Sequence, residues 1–338
     1  MKKYKILMAA FFLTFFQTNS QNAKITANTI NDMEVIKTQS HIDNLNIAIH
    51  YKQAIKKSAD YPVLFLHGSS FPTALSFGFK MDNSSWMSNL SENGFDVFSL
   101  DFLGYGNSDR YPEMENNITN GRLTGRAEEV VLDVDKAVNL IMEKTGKNKV
   151  YLIGHSWGGS VAAAYASKFP EKIKKLVLFA TITVRNEKSK REEMEGSFVE
   201  MTSGQRIDAM KMLTPEGKSC ELEKEIFTNW GKIWEESDPL FKKENGNVRF
   251  PYGPNQDVED LLHNKPYYNP EKIKTPTLII RGSRDQYPND TDAKTLLKSL
   301  KNVKSKKYVI LDTGTHVAHL ETSRKQLYEE TLFFLRSK

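Results

Sequence analysis

One cysteine, Cys220, stands in a chain of 338 residues, so no internal disulfide can form. No cluster of His, Cys and Asp has the spacing of a metal site. The glycines at Gly154, Gly158 and Gly159 lack the lysine that a phosphate-cradling loop needs. Internal repeats and low-complexity tracts are absent. The apolar run Ile6 to Phe16 is 11 residues long, well short of the roughly 20 that span a bilayer. Charge of one sign is scarce as well: 47 Lys and Arg against 42 Asp and Glu leave +5. What is present, 39% hydrophobic and 26% charged residues, is the composition of a globular chain long enough to bury a large core.

Lys2, Lys3 and Lys5 surround the start of that apolar run, and Gln17 to Ser20 follows it with small residues at Thr18 and Ser20. This is the pattern of a secretory signal peptide over residues 1–20, cut near Ser20–Gln21. No cysteine follows directly, so neither a lipid anchor nor any other stable membrane anchor is expected. Loss of three lysines takes the net charge from +5 to +2, which leaves no case for binding nucleic acid. An exported chain without disulfides suits a bacterial periplasm or the external medium.

Short apolar runs alternate with helical patterns along the rest of the chain. Leu45 to Tyr51 alternates as a half-exposed strand, and one or two antiparallel edge strands are expected within 21–60. Pro62–Leu66, Phe95–Leu100, Lys149–Ile153, Lys175–Ala180, Thr277–Ile280 and Lys307–Leu311 read as strands. Arg126 to Thr145 carries Ala127, Val130, Val131, Val134, Ala137, Val138 and Ile141 on one helical face and stops at Gly146. This alternation predicts a mainly parallel, doubly wound sheet. Residues 182–273 interrupt it: Arg185 to Phe250 is highly charged, with helical patches and no strong strand. They are expected to form an inserted cap on a core made of 21–181 and 274–338. Trp230 and Trp234, four residues apart, suggest one aromatic helix face, suited to packing between cap helices or, as the alternative, to a substrate platform.

Gly154-His155-Ser156-Trp157-Gly158-Gly159 lies between a strand pattern and a helix pattern. That is the setting of a nucleophile elbow, where a sharp turn lifts a serine to the N-terminus of a helix. A serine hydroxyl needs a base, and the base needs an orienting acid. Reactive groups in such sheets gather at the carboxyl ends of strands. Ser156, Asp285 and His316 each follow a predicted strand, in the order Ser, Asp, His.

With these residues the chain resembles the α/β-hydrolase fold serine hydrolases. The matching pieces are His67-Gly68, Asp101-x-x-Gly104-x-Gly106-x-Ser108, the Ser156 elbow, Gly282-x-x-Asp285, and Gly314-x-His316 with Glu321 behind it. The resemblance implies that Ser156 is the nucleophile, His316 the general acid and base, and Asp285 its orienting acid. It further implies an oxyanion hole formed by the backbone N–H groups of Ser69 and Trp157. No cofactor and no metal is implied, and the partner is a small-molecule acyl substrate. A serine at the elbow argues against the dehalogenase and epoxide hydrolase members, which carry a carboxylate there.

Other residues compete for these roles. His319 lies near His316, but the Gly-x-His spacing favours His316. His155 and His67 are expected to be structural, His67 as a brace of the oxyanion loop. Asp101 is a fallback acid that more naturally holds a turn, and Asp290 and Asp292 start a helix. Arg284, beside Asp285, would lower that acid's pKa if it faced it. The apolar segment Ser70 to Met81 either lines the pocket or covers the core. The expected function is hydrolysis of a carboxylic ester, with lactone or amide as variants. A proline-iminopeptidase-like aminopeptidase is one alternative, with Glu192, Glu193 and Glu195 as a source of amine-binding carboxylates. A C–C bond hydrolase with the same triad and a non-catalytic binding protein are the others.

Overall fold

The computed structural model describes residues 32–242 and 246–337. The predicted signal peptide and its cleavage point lie outside the described residues. Eight strands form one sheet: β1 (Glu34–Gln39), β2 (Asn46–Lys52), β3 (Val63–Leu66), β4 (Val97–Asp101), β5 (Val150–His155), β6 (Ile173–Phe179), β9 (Thr277–Gly282) and β10 (Lys306–Leu311), in the order β1-β2-β4-β3-β5-β6-β9-β10. β7 (Phe198–Thr202) and β8 (Asn247–Pro251) pair separately. The helices are α1 (Trp86–Glu92), α2 (Pro112–Glu115), α3 (Ala127–Thr145), α4 (Trp157–Lys168), α5 (Ser203–Lys211), α6 (Gly231–Ser237), α7 (Gly253–Leu262), α8 (Asp290–Ser299) and α9 (Arg324–Arg336).

From β4 to β10 every pairing in the large sheet is parallel, and β1 and β2 add antiparallel at one edge. Parallel strands need both faces covered, and the alternation of side chains divides the core accordingly. Leu64, Leu66, Leu100 and Leu152 pack on one face with Val130, Val134 and Ala137 of α3 and Val161 of α4. Val63, Phe65, Val97 and Ile153 pack on the other with Trp86 and Leu90 of α1 and Leu327 of α9. Each fully buried Leu, Val or Phe contributes roughly 1.5–3 kcal/mol by leaving water. α3 ends where the pattern predicts, at Gly146, whose φ of 66° is left-handed.

Between β6 and β9 the chain leaves the sheet and lies over its carboxyl ends. It contributes β7, α5, a π-turn at Ile226–Trp230, α6, β8 and α7. No strong strand is expected here, and one short strand pair is found. β7 and β8 form an antiparallel pair with Phe198 opposite Pro251 and Thr202 opposite Asn247. β7 has no fully buried residue, so it carries little of the apolar alternation by which a strand is recognised. The edge-strand β10 is likewise only partly buried.

Trp230 and Trp234 are buried packing residues. The Trp230 indole N–H donates to the Leu75 carbonyl at 2.9 Å, and its ring meets Phe71 edge-on at 5.2 Å. Trp234 packs on Phe250 of β8. Of the Ser70–Met81 segment, Leu75, Phe77, Phe79 and Met81 enter the core, while Ser70 and Phe71 turn to the pocket described below. No helix among the described residues is long and apolar enough to cross a membrane.

Candidate active site

The elbow is set by backbone crowding. Ser156, between β5 and α4, has φ 57° and ψ −126°, a left-handed conformation costly for a residue with a Cβ. A Cβ on Gly154 would lie 2.4 Å from the Gly158 carbonyl, and one on Gly158 would lie 2.1 Å from the His67 carbonyl. Only glycine fits at those two positions, so the chain reverses tightly and Ser156 is left at the tip.

Ser156, Asp285 and His316 meet there. With His316 in its neutral form, the Ser156 hydroxyl donates to Nε2 at 2.8 Å. Nδ1–H of the same ring donates to the Asp285 carboxylate at 3.3 Å. Asp285 is buried, and its other oxygen accepts the Tyr287 N–H at 2.7 Å. Arg284 turns away from it and pairs with Glu221 at 2.6 Å. Glu321 ties down the turn that carries His316, accepting from the Thr315 N–H and hydroxyl at 2.8 and 2.6 Å.

The loop after β3 lies alongside. His67 is buried, and burial lowers its pKa from the ordinary 6.5, so the ring is neutral. Its Nδ1–H donates to the Gly68 carbonyl at 2.7 Å, and its Nε2 accepts the Phe102 N–H at 3.2 Å. The Tyr105 hydroxyl donates to the Ser69 carbonyl at 2.6 Å. A trans peptide points its C=O and N–H in opposite directions. Anchoring the Gly68 carbonyl on His67 therefore turns the Ser69 N–H away from that ring. The Trp157 N–H is the first of α4 and has no partner within the helix. Neither N–H has a hydrogen-bond partner among the described residues.

The remaining histidines and acids have other work. His155 donates from Nε2 to the His316 carbonyl at 2.9 Å, and burial followed by the nearby His319 and His316 holds its pKa well below 6.5. His319 is fully enclosed against Phe71, Phe77, Phe179 and His155, and burial depresses it to about 3. Asp101 accepts the N–H groups of Thr73 and Asn107 at 2.9 and 3.0 Å and bonds His50 at 2.7 Å, which closes a turn far from His316. Asp292 shares a capping box with Asn289 at the start of α8, whose first residue is Asp290.

A cavity of about 300 Å³ opens above Ser156. Ser69, Phe71 and His316 line it from the sheet side, and Arg206, Ala209 and Leu213 from the cap. A larger depression of about 990 Å³ at the opposite ends of the strands, near Lys149 and Lys274, holds none of the candidate residues. Glu192, Glu193 and Glu195 are exposed and do not line the cavity above Ser156; Glu193 pairs with Arg191. Among the described residues no three His, Cys, Asp or Glu side chains are grouped to hold a metal ion.

Residues 61–323 match the alpha/beta hydrolase fold family. The chain belongs to that family. This hydrolase is 25% identical over 158 residues to the poly(3-hydroxyalkanoate) polymerase subunit PhaC of Haloferax mediterranei, covering 46% of its own length and only 29% of PhaC. It is 26% identical over 267 residues to a proline iminopeptidase of Lactobacillus acidophilus, covering 75% of this chain and 83% of that one. Among solved structures, a thioesterase domain from the curacin biosynthetic pathway superposes with a TM-score of 0.59 at 17% identity, over 89% of this chain and 99% of that domain. That likeness extends to the fold alone.

Sequence reasoning missed Tyr287, Asp257 and Arg206. Tyr287 steadies Asp285 and lines the cavity. Asp257, on α7, accepts from the Trp157 indole at 2.9 Å, the Ala127 N–H at 2.6 Å and Arg126 at 2.6 Å, which ties the cap to the elbow helix. Neighbourhood to Asp285 was a signal for Tyr287. No local pattern marks Asp257, or Arg206 among 47 Lys and Arg.

Proposed function

We propose that this hydrolase cleaves a carboxylic ester through an acyl-enzyme on Ser156. The observation that carries the reading is the relay from Ser156 to His316 at 2.8 Å and on to Asp285 at 3.3 Å, at the tip of a strained elbow. As Ser156 Oγ attacks the carbonyl carbon, its proton passes to His316 Nε2. Asp285 stabilises the imidazolium and holds its tautomer. The developing oxyanion is taken by the N–H groups of Ser69 and Trp157, and losing one such donor typically costs about 3–4 kcal/mol. His316 then protonates the leaving alcohol. Water, deprotonated by the same ring, attacks the acyl carbon, and Ser156 leaves with its proton restored.

A serine at the elbow supports acyl transfer over the carboxylate-based opening of epoxides. The relative named a proline iminopeptidase spans most of the chain, yet the cavity offers no Asp or Glu to an amine. That favours an ester over an aminopeptidase substrate. Export rests on Lys2, Lys3, Lys5 and the apolar run that ends at Phe16, and a mature chain beginning near Gln21 would support it.

The test is labelling by an irreversible fluorophosphonate followed by peptide mass analysis. The adduct is expected on Ser156, together with turnover of short p-nitrophenyl esters that Ser156→Ala abolishes. Full turnover in that variant would overturn the assignment.

A further inference from the structure

Among the described residues Arg206 is the one Arg, Lys, Asp or Glu lining the cavity above Ser156. It projects from α5 of the cap, and its guanidinium carbon lies 5.3 Å from the centre of the Phe71 ring. The residue as a whole is partly accessible, but its Nε is shut off from solvent and has no hydrogen-bond partner. No Asp or Glu among the described residues pairs with it, although Arg126 of the core and Arg185, Arg191 and Arg249 of the cap all have carboxylate partners. Burial lowers its pKa to about 10 without neutralising it at ordinary pH.

Desolvating a cation is costly, and an aromatic face offsets only part of the cost. Phe71, Leu213 and Val258 line the cavity beside it, together with neutral polar groups such as Ser70 and Tyr287, and none of these neutralises the guanidinium. It has an evident use for an incoming anion. The planar fork suits a carboxylate held by two parallel hydrogen bonds. A single cation balances a monoanion better than a phosphate dianion, and no second cation lines the cavity.

We propose that the substrate carries a carboxylate, remote from the scissile carbonyl, which docks on Arg206 while the ester carbonyl sits at Ser156. The preferred class is thus the half-ester of a short dicarboxylic acid, or an ester bearing an equivalent acid on its alcohol side. The cavity of about 300 Å³ restricts both parts to small groups. The proposal rests on the serine hydrolase reading for its chemistry, but its anion site stands or falls on binding alone.

Two measurements separate them. The first compares kcat/KM, by pH-stat titration, for the monoethyl esters of succinate, glutarate and adipate against the ethyl esters of butyrate, valerate and hexanoate. The wild type should favour at least one acid over its neutral partner, and Arg206→Met should reduce that ratio on the order of ten- to a hundred-fold, chiefly through KM. Arg206→Lys, which keeps the charge and loses the fork, should fall between them. The second measures glutarate binding to Ser156→Ala by calorimetry, with and without Arg206→Met; binding is expected only where Arg206 is present. The melting temperature of Arg206→Met should equal or exceed that of the wild type, because no partner is orphaned. A marked drop would make Arg206 a structural residue and overturn the proposal.

Ester turnover that depends on Ser156, without preference for the acid and without glutarate binding, would overturn the anion site and leave the acyl-enzyme reading intact. Arg206-dependent glutarate binding with no ester turnover would support the anion site and remove the acyl-enzyme reading. Failure of both measurements would remove both.

Discussion

Ser156 and Asp285 follow strands that are buried at every residue, whereas Arg206 reaches the same cavity from α5, where Met210 is the one buried side chain. The sheet end and the cap thus face each other across the site with different foundations. Strand hydrogen bonds and two layers of apolar packing hold the proposed reacting groups. The cap packs Ile226, Trp230, Phe250 and Leu261 into the core cluster and adds specific polar ties, among them Asp257 to Trp157, Trp230 to Leu75, Arg185 to Asp292 at 2.6 Å, and Arg324 to Glu223. Chemistry that tolerates little displacement is placed on the rigid part. The proposed selection of substrate falls on the part whose contacts can vary without disturbing it.

The comparison breaks if either side does the other's work. Ser156→Ala should lower turnover by about 10⁴-fold or more while leaving the melting temperature within a degree or two of the wild type. Appreciable residual activity would move the reaction off the sheet. Asp257→Ala strips one acceptor from three donors at the seam between cap and elbow helix. Arg126 keeps Asp260, so the cost in urea unfolding should be about 2–4 kcal/mol, from leaving the Trp157 and Ala127 N–H groups buried and unpaired. A loss under about 1 kcal/mol would mean that the cap is docked by apolar packing instead.

The sheet side should also govern the response to acid. The unfolded chain protonates His319 as the pH falls below 6.5, while the folded chain resists until about 3. Stability is therefore complete above 6.5 and falls on acidification, with a slope approaching about 1.4 kcal/mol per pH unit. His155, depressed in the same direction, adds to it. His319→Phe, placed among Phe71, Phe77 and Phe179, should flatten that dependence in unfolding curves between pH 4 and pH 7. An unchanged slope would shift its origin to other groups. The smallest effect is expected at Arg284→Met. Its partner is Glu221, so the cost should stay under about 1 kcal/mol and the pH profile of kcat/KM should not move. A shift in that profile would mean that Arg284 senses Asp285 after all.

Legibility in the sequence follows the same division. β3, with four consecutive buried residues, announces itself, as does α3 with its apolar face and Gly146 stop. β7 escaped notice because none of its residues is fully buried, and β8 because Val248 and Phe250, its two alternating apolar positions before Pro251, make too short a pattern to stand out in a charged stretch. Ser156 is visible through its flanking glycines, because a steric requirement leaves a residue-type record. Arg206 leaves none, since a guanidinium on a surface helix and one over a cavity are spelt alike. His316 and His319 were separable only by the glycine before the first; the aromatic enclosure of the second comes from three other segments of chain.

Strand and helix order, the elbow and the three residues that meet there were determined by the sequence, because local periodicity and backbone sterics are properties of neighbouring residues. The tertiary structure alone decided that Arg284 faces Glu221, that Asp257 clasps Trp157, and that Arg206 stands over the cavity with no carboxylate partner among the described residues. Those outcomes depend on which distant segments approach within a few ångströms, and the energies that select them belong to no local stretch of chain.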